Sequence, residues 1–258
     1  MLSSQIEKPM PLPFIAGSRV AMGQKAAEDI ADELRRRLKI QQGVRMIFAA
    51  APSQSEMLSA LILMPGVDWS RVTAFHMDEY LGLASDAPQR FGLWLRRVIF
   101  DRLPFAAVHV LEPGTDPEAT AAEYVDKLAE SPIDIVCCGI GSNGHLAFND
   151  PPADLNDRAD MKVVELDNAC RQQQVDDRCF ERFDDVPIHA ITLTVPRLLA
   201  SDRIFCCVPG AFKKTAVRRT LQDPISGLLP ATALRTHSNW SLYLDEDSAA
   251  DLASPEAQ

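Results

Sequence analysis

The sequence predicts an α/β fold, a mostly parallel sheet with helices on both faces, and two observations lead there. Apolar runs of strand length recur along the chain, and the stretches between them place apolar residues at three- and four-residue spacing. A near-continuous apolar strand is buried on both sides, so helices must cover it above and below.

The elements follow in order. A helical pattern over 24–38 precedes a candidate strand at 45–50, where Met46-Ile47-Phe48-Ala49-Ala50 offers no polar face. A helix over 54–63 leads to a strand at 72–76, and helices over 91–103 and 117–129 lead to a third strand at 133–139. Segment 150–185 is charged and weakly periodic, so it reads as an excursion of loop and short helix, the kind that forms lids. Strands at 190–195, 204–208 and 240–244, with a helix over 212–221, complete the alternation. The tail from Glu246, rich in Asp, Ala and Ser, is expected to fray. No repeat, heptad run or Gly/Ser linker divides the chain, so residues 1–245 are expected to form one domain.

Composition narrows the function. With 26 basic against 36 acidic residues the formal net charge is −10, which opposes binding to nucleic acid or an anionic membrane. A phosphate ligand would need a local positive site. No apolar run approaches the ~20 residues that span a bilayer, and residues 1–13 lack a basic-then-apolar leader, so a cytoplasmic protein is expected. Among the six cysteines, Cys137-Cys138 and Cys206-Cys207 are adjacent pairs inside apolar runs and no C-x-x-C occurs; all read as reduced small hydrophobes. A metal site would require other ligands to converge on Cys170 or Cys179, and none is predicted.

Ligands of open α/β sheets collect at the carboxyl ends of strands. The loops after the second and third strands read His76-Met77-Asp78-Glu79-Tyr80 and Gly139-Ile140-Gly141-Ser142-Asn143-Gly144-His145. Glycines such as Gly141 and Gly144 let backbone approach a ligand closely. The G-x-G-x-x-G spacing invites a dinucleotide reading, but Pro151 and Pro152 stop the long helix that reading requires. A short carboxylate such as Asp78 at a strand end suits proton transfer, and an imidazole such as His145 can give and take a proton near neutrality. Blander readings stand beside these. Asp78 and Glu79 would suit a helix start, Asn143 and Asp150 a tight turn, and Lys213 a solvated surface; His76, His109, His189 and His237 read as structural.

His145-Leu146-Ala147-Phe148-Asn149-Asp150-Pro151 after a glycine loop, with Met77-Asp78-Glu79-Tyr80 upstream, resembles the glucosamine-6-phosphate deaminase/isomerase family. The wider resemblance covers residues 21–244 and includes Gly210-Ala211-Phe212-Lys213, similar to the family's lysine-bearing phosphate segment. It implies a modified Rossmann-like fold, no metal or organic cofactor, a small-molecule sugar phosphate as substrate, and a chain compatible with a homo-oligomer. The implied reaction is aldose–ketose isomerisation with deamination: the amino-sugar 6-phosphate opens, a proton moves between C2 and C1, and water expels ammonia. Asp78 matches the carboxylate that shuttles the proton, and His145 the ring-opening residue.

The sequence also departs from the family pattern. Asp150 stands where a glutamate is usual, and Asn143 where an aspartate is usual, so Glu79 or Asp150 would have to support His145. The loop expected to bind phosphate reads Ala51-Pro52-Ser53-Gln54-Ser55-Glu56, leaving Ser53, Gln54, Ser55 and Lys213 as phosphate candidates. Gln174 occupies the place of an expected arginine, with Arg171 nearby. Lactone hydrolysis of the related 6-phosphogluconolactonase type ranks behind, because Leu146-Ala147-Phe148-Asn149 and Glu79-Tyr80 follow the deaminase pattern. A sugar-phosphate-binding protein without turnover is the third reading.

Overall fold

The structure, a computed structural model, describes residues 12–252. A seven-stranded sheet runs in the spatial order Phe14–Ala16 (β1), Trp240–Asp245 (β10), Arg203–Val208 (β9), Ile135–Cys138 (β6), Val44–Phe48 (β2), Val72–His76 (β3) and Ala107–His109 (β5). Every pairing in it is parallel. Alternation along the strands divides the core into two layers. Met46, Phe48, Cys137, Phe205, Cys207 and Tyr243 point to one side, whereas Ile47, Val136, Cys138, Cys206, Leu242 and Leu244 point to the other. That alternation accounts for the adjacent cysteine pairs: each places one small apolar side chain in each layer, and all six cysteines are free.

Helices cover both layers, as expected for strands with no polar face. The longest, Arg19–Leu38 (α1), starts where the Ser18 hydroxyl accepts from the Ala21 N–H and ends in Arg35, Arg36 and Arg37, all favourable to the helix dipole. It packs against Ser55–Leu61 (α2). The helix expected over 91–103 is shorter, Phe91–Leu95 (α3), and widens into a π turn over Arg96–Phe100. Pro117–Ala129 (α4) matches its expected span.

Three features differ from the sequence expectation. The run at 190–195 forms His189–Leu193 (β8), which leaves the main sheet and pairs antiparallel with Asp78–Tyr80 (β4) and Met161–Glu165 (β7). An apolar run fixes burial but not the direction of its partners. Second, residues 78–80 are a strand, not a helix start, and the excursion 150–185 contains β7 as well as the helix Asn168–Asp176 (α5). Third, the chain does not fray at Glu246. After Val195–Leu199 (α6) and Lys214–Gln222 (α7), β10 runs straight into Glu246–Ala249 (α8). There the Asp245 carboxylate accepts from the Ser248 N–H, and Ser248 Oγ accepts from the Asp245 N–H. The same carboxylate also accepts from the Gly210 N–H at 3.0 and 3.1 Å, fixing the turn that carries Lys213. Residues 253–258 of that tail, like residues 1–11, lie outside the described residues.

The strand order reverses between β2 and β6. The chain runs from β2 outward through β3 to β5, then returns to the other side of β2 as β6. At such a switch point the connecting loops diverge and leave a crevice at the carboxyl ends of the strands.

Candidate active site

A cavity of about 540 Å³, counting its open mouth, occupies that crevice. Its floor comes from Ala49–Ala51 after β2, Met77 and Asp78 after β3, and Gly139–Gly141 after β6; Lys213 enters from the turn after β9. Its roof is α5 and the turn beyond it, with Gln173, Gln174 and Asp177 facing in. Phe91 and Phe148, stacked at 5.5 Å between ring centroids, wall one side.

His145 is held from behind. The glycine loop closes on itself, with the Gly141 N–H donating to the His145 carbonyl and the Gly144 N–H to the Gly141 carbonyl. A Cβ on Gly141 would lie 2.3 Å from His145 Nε2, and Gly144 adopts φ +86° with Leu229 against the place a Cβ would take. The imidazole therefore fills space that only glycine leaves free. His145 Nδ1 lies 3.1 Å from Asp150 Oδ1, which leaves Nε2 for a ligand. Burial works against a charge on Asp150, yet the hydrogen bonds from His145, Asn143 and the Asp167 N–H outweigh it and hold the carboxyl below its usual range.

Asp78 presents the opposite electrostatic case. It is 5% exposed, and no side-chain hydrogen bond to it is made among the described residues. Burial first, and then the Glu79 charge, push its carboxyl well above the usual range. Lys213 is 3% exposed, and burial lowers it to about 8 despite the opposing charge of Asp177. The cavity thus holds an acid and a base that have both lost hydration and gained no strong partner, the state in which a charged ligand gains most from binding.

Of the residues singled out from sequence, Asp78, His145, Ser53, Gln54, Gly141 and Lys213 line the cavity together. Asn143 and Asp150 stand behind His145, and Gly144 shapes the turn without lining the cavity. Glu79 does not reach it. Neighbouring strand residues point to opposite faces, so Glu79 turns inward, where it accepts from the N–H groups of Tyr80, Phe91 and Gly92 at 3.0 Å and caps α3. Ser55 opens α2 and faces an outer groove with Val20 and Leu63. Arg171 points away from the α5 face formed by Cys170, Gln173, Gln174 and Asp177; its guanidinium donates to the Phe183 and Val186 carbonyls and lies over the Phe183 ring. Gln174 does line the cavity, its Oε1 accepting from the Tyr80 hydroxyl at 2.6 Å.

Two cavity residues, Gln173 and Asp177, carried no motif signal. Gln173 accepts from the Ser142 N–H at 2.7 Å and donates to Asp177 at 3.3 Å, tying the glycine loop to α5. The i, i+3, i+4, i+7 spacing of 170, 173, 174 and 177 was the available clue. His76 is structural, accepting from the Leu111 N–H through Nε2, and burial lowers it to about 3. Cys170 does gain neighbours of ligating type, since its thiol, His145 and Asp150 each bring an atom within 4.8 Å of the others. Burial, then the charges of Asp150 and Asp167, raise that thiol far above its usual range, so it stays protonated beside them.

Residues 17–242 match the family model described as glucosamine-6-phosphate isomerases/6-phosphogluconolactonase. A glucosamine-6-phosphate deaminase of Listeria monocytogenes serotype 4a is 32% identical over 208 residues, covering 80% of this chain and 87% of that protein. One of an Exiguobacterium species is 34% identical over 188 residues, or 72% of each chain. The solved structure of a monomeric glucosamine-6-phosphate deaminase superposes with a TM-score of 0.83 at 28% identity, over 93% of this chain and 99% of that one. A 6-phosphogluconolactonase from Shewanella baltica shares the fold, with a TM-score of 0.75 at 19% identity over 92% and 100% of the two chains. By that match over most of its length, the chain belongs to the glucosamine-6-phosphate isomerase/6-phosphogluconolactonase family.

Proposed function

We propose that this chain converts an amino-sugar 6-phosphate, of gluco or galacto configuration, to a ketose 6-phosphate and ammonia. The observation that carries the reading is the meeting of Asp78, His145 and Lys213 in one cavity at the sheet's switch point. With the phosphate at Lys213 and Ser53, the sugar ring spans toward His145, whose Nε2 takes the proton of the C1 hydroxyl and passes it to the ring oxygen as the ring opens. Asp78 then takes the C2 proton and returns it to C1, and water adds at C2 to expel ammonia. A substrate ammonium group beside Asp78 would favour the charged carboxylate that burial disfavours, so the bound amino sugar itself prepares the base. Gln174 offers an amide in place of a second cation, leaving Lys213 as the main counter-charge. A cytoplasmic setting agrees with six unpaired cysteines, five of them buried.

Incubation with glucosamine 6-phosphate and with galactosamine 6-phosphate, followed by ammonia and ketose-phosphate detection, tests the reading. At least one substrate is expected to turn over, and Asp78→Asn or His145→Gln to slow it by about 10²–10⁴-fold. Hydrolysis of 6-phosphogluconolactone without ammonia release would place the chain with the lactonases, and tight sugar-phosphate binding without product would make it a binding protein.

A further inference from the structure

We propose that Asp167 is a positioning residue for His145 and that Asn143 is the neutral clamp that joins it to Asp150. The activity arm of this inference rests on the function proposed above; the stability arm does not.

The three side chains form a closed network. Asn143 Nδ2 donates to Asp150 Oδ1 at 3.0 Å and to Asp167 Oδ2 at 3.2 Å, and Asn143 Oδ1 accepts from the His145 N–H at 3.0 Å. Asp150 Oδ1 also meets His145 Nδ1 at 3.1 Å, while Asp150 Oδ2 accepts from the Asp167 N–H at 3.1 Å. Asp167 Oδ1 accepts from the Cys170 N–H, which caps α5 and fixes the carboxylate's direction. Both hydrogens and the oxygen of the Asn143 amide are thus engaged, and each Asp150 oxygen has a donor.

An aspartate at position 143, the usual residue of the family pattern, would place a third carboxylate about 3 Å from two others with no proton between them. The departure at Asn143 therefore belongs with the presence of Asp167: the negative charge normally carried by residue 143 sits one step further back, on the cap of α5, and reaches His145 through the amide. Asp150, one methylene shorter than glutamate, is held at the length this network needs.

The groups facing Asp150 are Asn143 and His145 from the glycine loop and Asp167 and Cys170 from the start of α5, with Lys162 and Glu165 of β7 lining the groove on its far side. Asp150 has a depressed carboxyl, so its contribution to stability is present above the unfolded value and lost as pH falls through the folded one. Removing its amide donor and adding a like charge must move that loss to higher pH.

The test uses N143D, D167N and N143D/D167N in the full chain. Asparagine caps helices as well as aspartate does, so D167N keeps α5 intact. In the double variant the amide introduced at position 167 can donate to the new carboxylate at position 143, exchanging donor and acceptor. We expect N143D to lose about tenfold or more in kcat/KM and to begin acid destabilisation at higher pH in a series of Tm against pH. The double variant, relieved of the like charge at position 167 but not of that at Asp150, should recover part of both. An N143D enzyme as active as the wild type, or a double variant no better than N143D, would overturn the proposal. Should N143D fail to fold, recovery of folding in the double variant supports the clamp and its absence refutes it. If the wild type turns over no amino-sugar phosphate, the proposed function fails, while the Tm series still decides the clamp.

Discussion

Replacing Asp78 by asparagine should make the protein more stable as it makes it inactive. Asp78 is almost fully buried, has no donor to its carboxylate among the described residues, and has the Glu79 charge beside it. Ionising such a group costs folding free energy, and each unit by which the folded value exceeds the unfolded one is worth about 1.4 kcal/mol. The folded carboxyl is raised, so the wild type is at full stability below the unfolded value and loses stability as pH rises toward the folded one. Asparagine does not titrate. The D78N advantage must therefore grow with pH from near zero in mild acid, by up to about 1.4 kcal/mol per pH unit between the unfolded and the folded value. For a chain of this size that is about 2–4 °C in Tm per kcal/mol. Thermal denaturation of both proteins between pH 4 and 8 measures it, alongside an expected loss of about 10²–10⁴-fold in turnover. A D78N protein less stable at neutral pH, or a difference independent of pH, would refute the electrostatic account of the cavity.

Three further outcomes follow from the same geometry. Gly141→Ala puts a methyl 2.3 Å from the His145 ring, so turnover should fall by about 10²-fold while circular dichroism stays native. Glu79→Gln turns an amide toward three backbone donors and removes the charge beside Asp78; it should lower stability by about 1–3 kcal/mol and shift the acid limb of the turnover profile to lower pH. Lys213 is lowered to about 8, and a bound phosphate must raise it. Calorimetry near pH 8 in buffers of different ionisation enthalpy should accordingly show proton uptake on binding a sugar phosphate, and Lys213→Met should abolish both the uptake and most of the affinity.

Much of this was legible in the sequence for a physical reason. Strands with no polar face and helices with a three-to-four spacing specify a covered parallel sheet, and the loops at strand ends rich in glycine and acid marked the crevice. What the sequence withheld depended on direction and long-range pairing. The run at 190–195 carried its burial but not its antiparallel partners β4 and β7. Glu79 shared a motif with Asp78, yet a one-residue step along a strand turns it to the opposite face, under α3. Arg171 lost to Gln174 because a one-residue step from Cys170 turns it off the face that Cys170, Gln173, Gln174 and Asp177 share. Asp167 could not be found from spacing at all, since its meeting with Asn143 spans 24 residues and arises only when α5 folds over the glycine loop.

In the proposed reaction Asp78 moves a proton between two adjacent carbons of a substrate opened by His145. Turnover in D₂O, with the ketose phosphate analysed by NMR, tests that step directly. In the wild-type product C1 is predicted to keep part of the hydrogen that left C2, with deuterium only in the remainder that exchanges while held on Asp78, and D78N is predicted to form product about 10²–10⁴-fold more slowly; product formed by D78N at the wild-type rate would show that another group carries the proton.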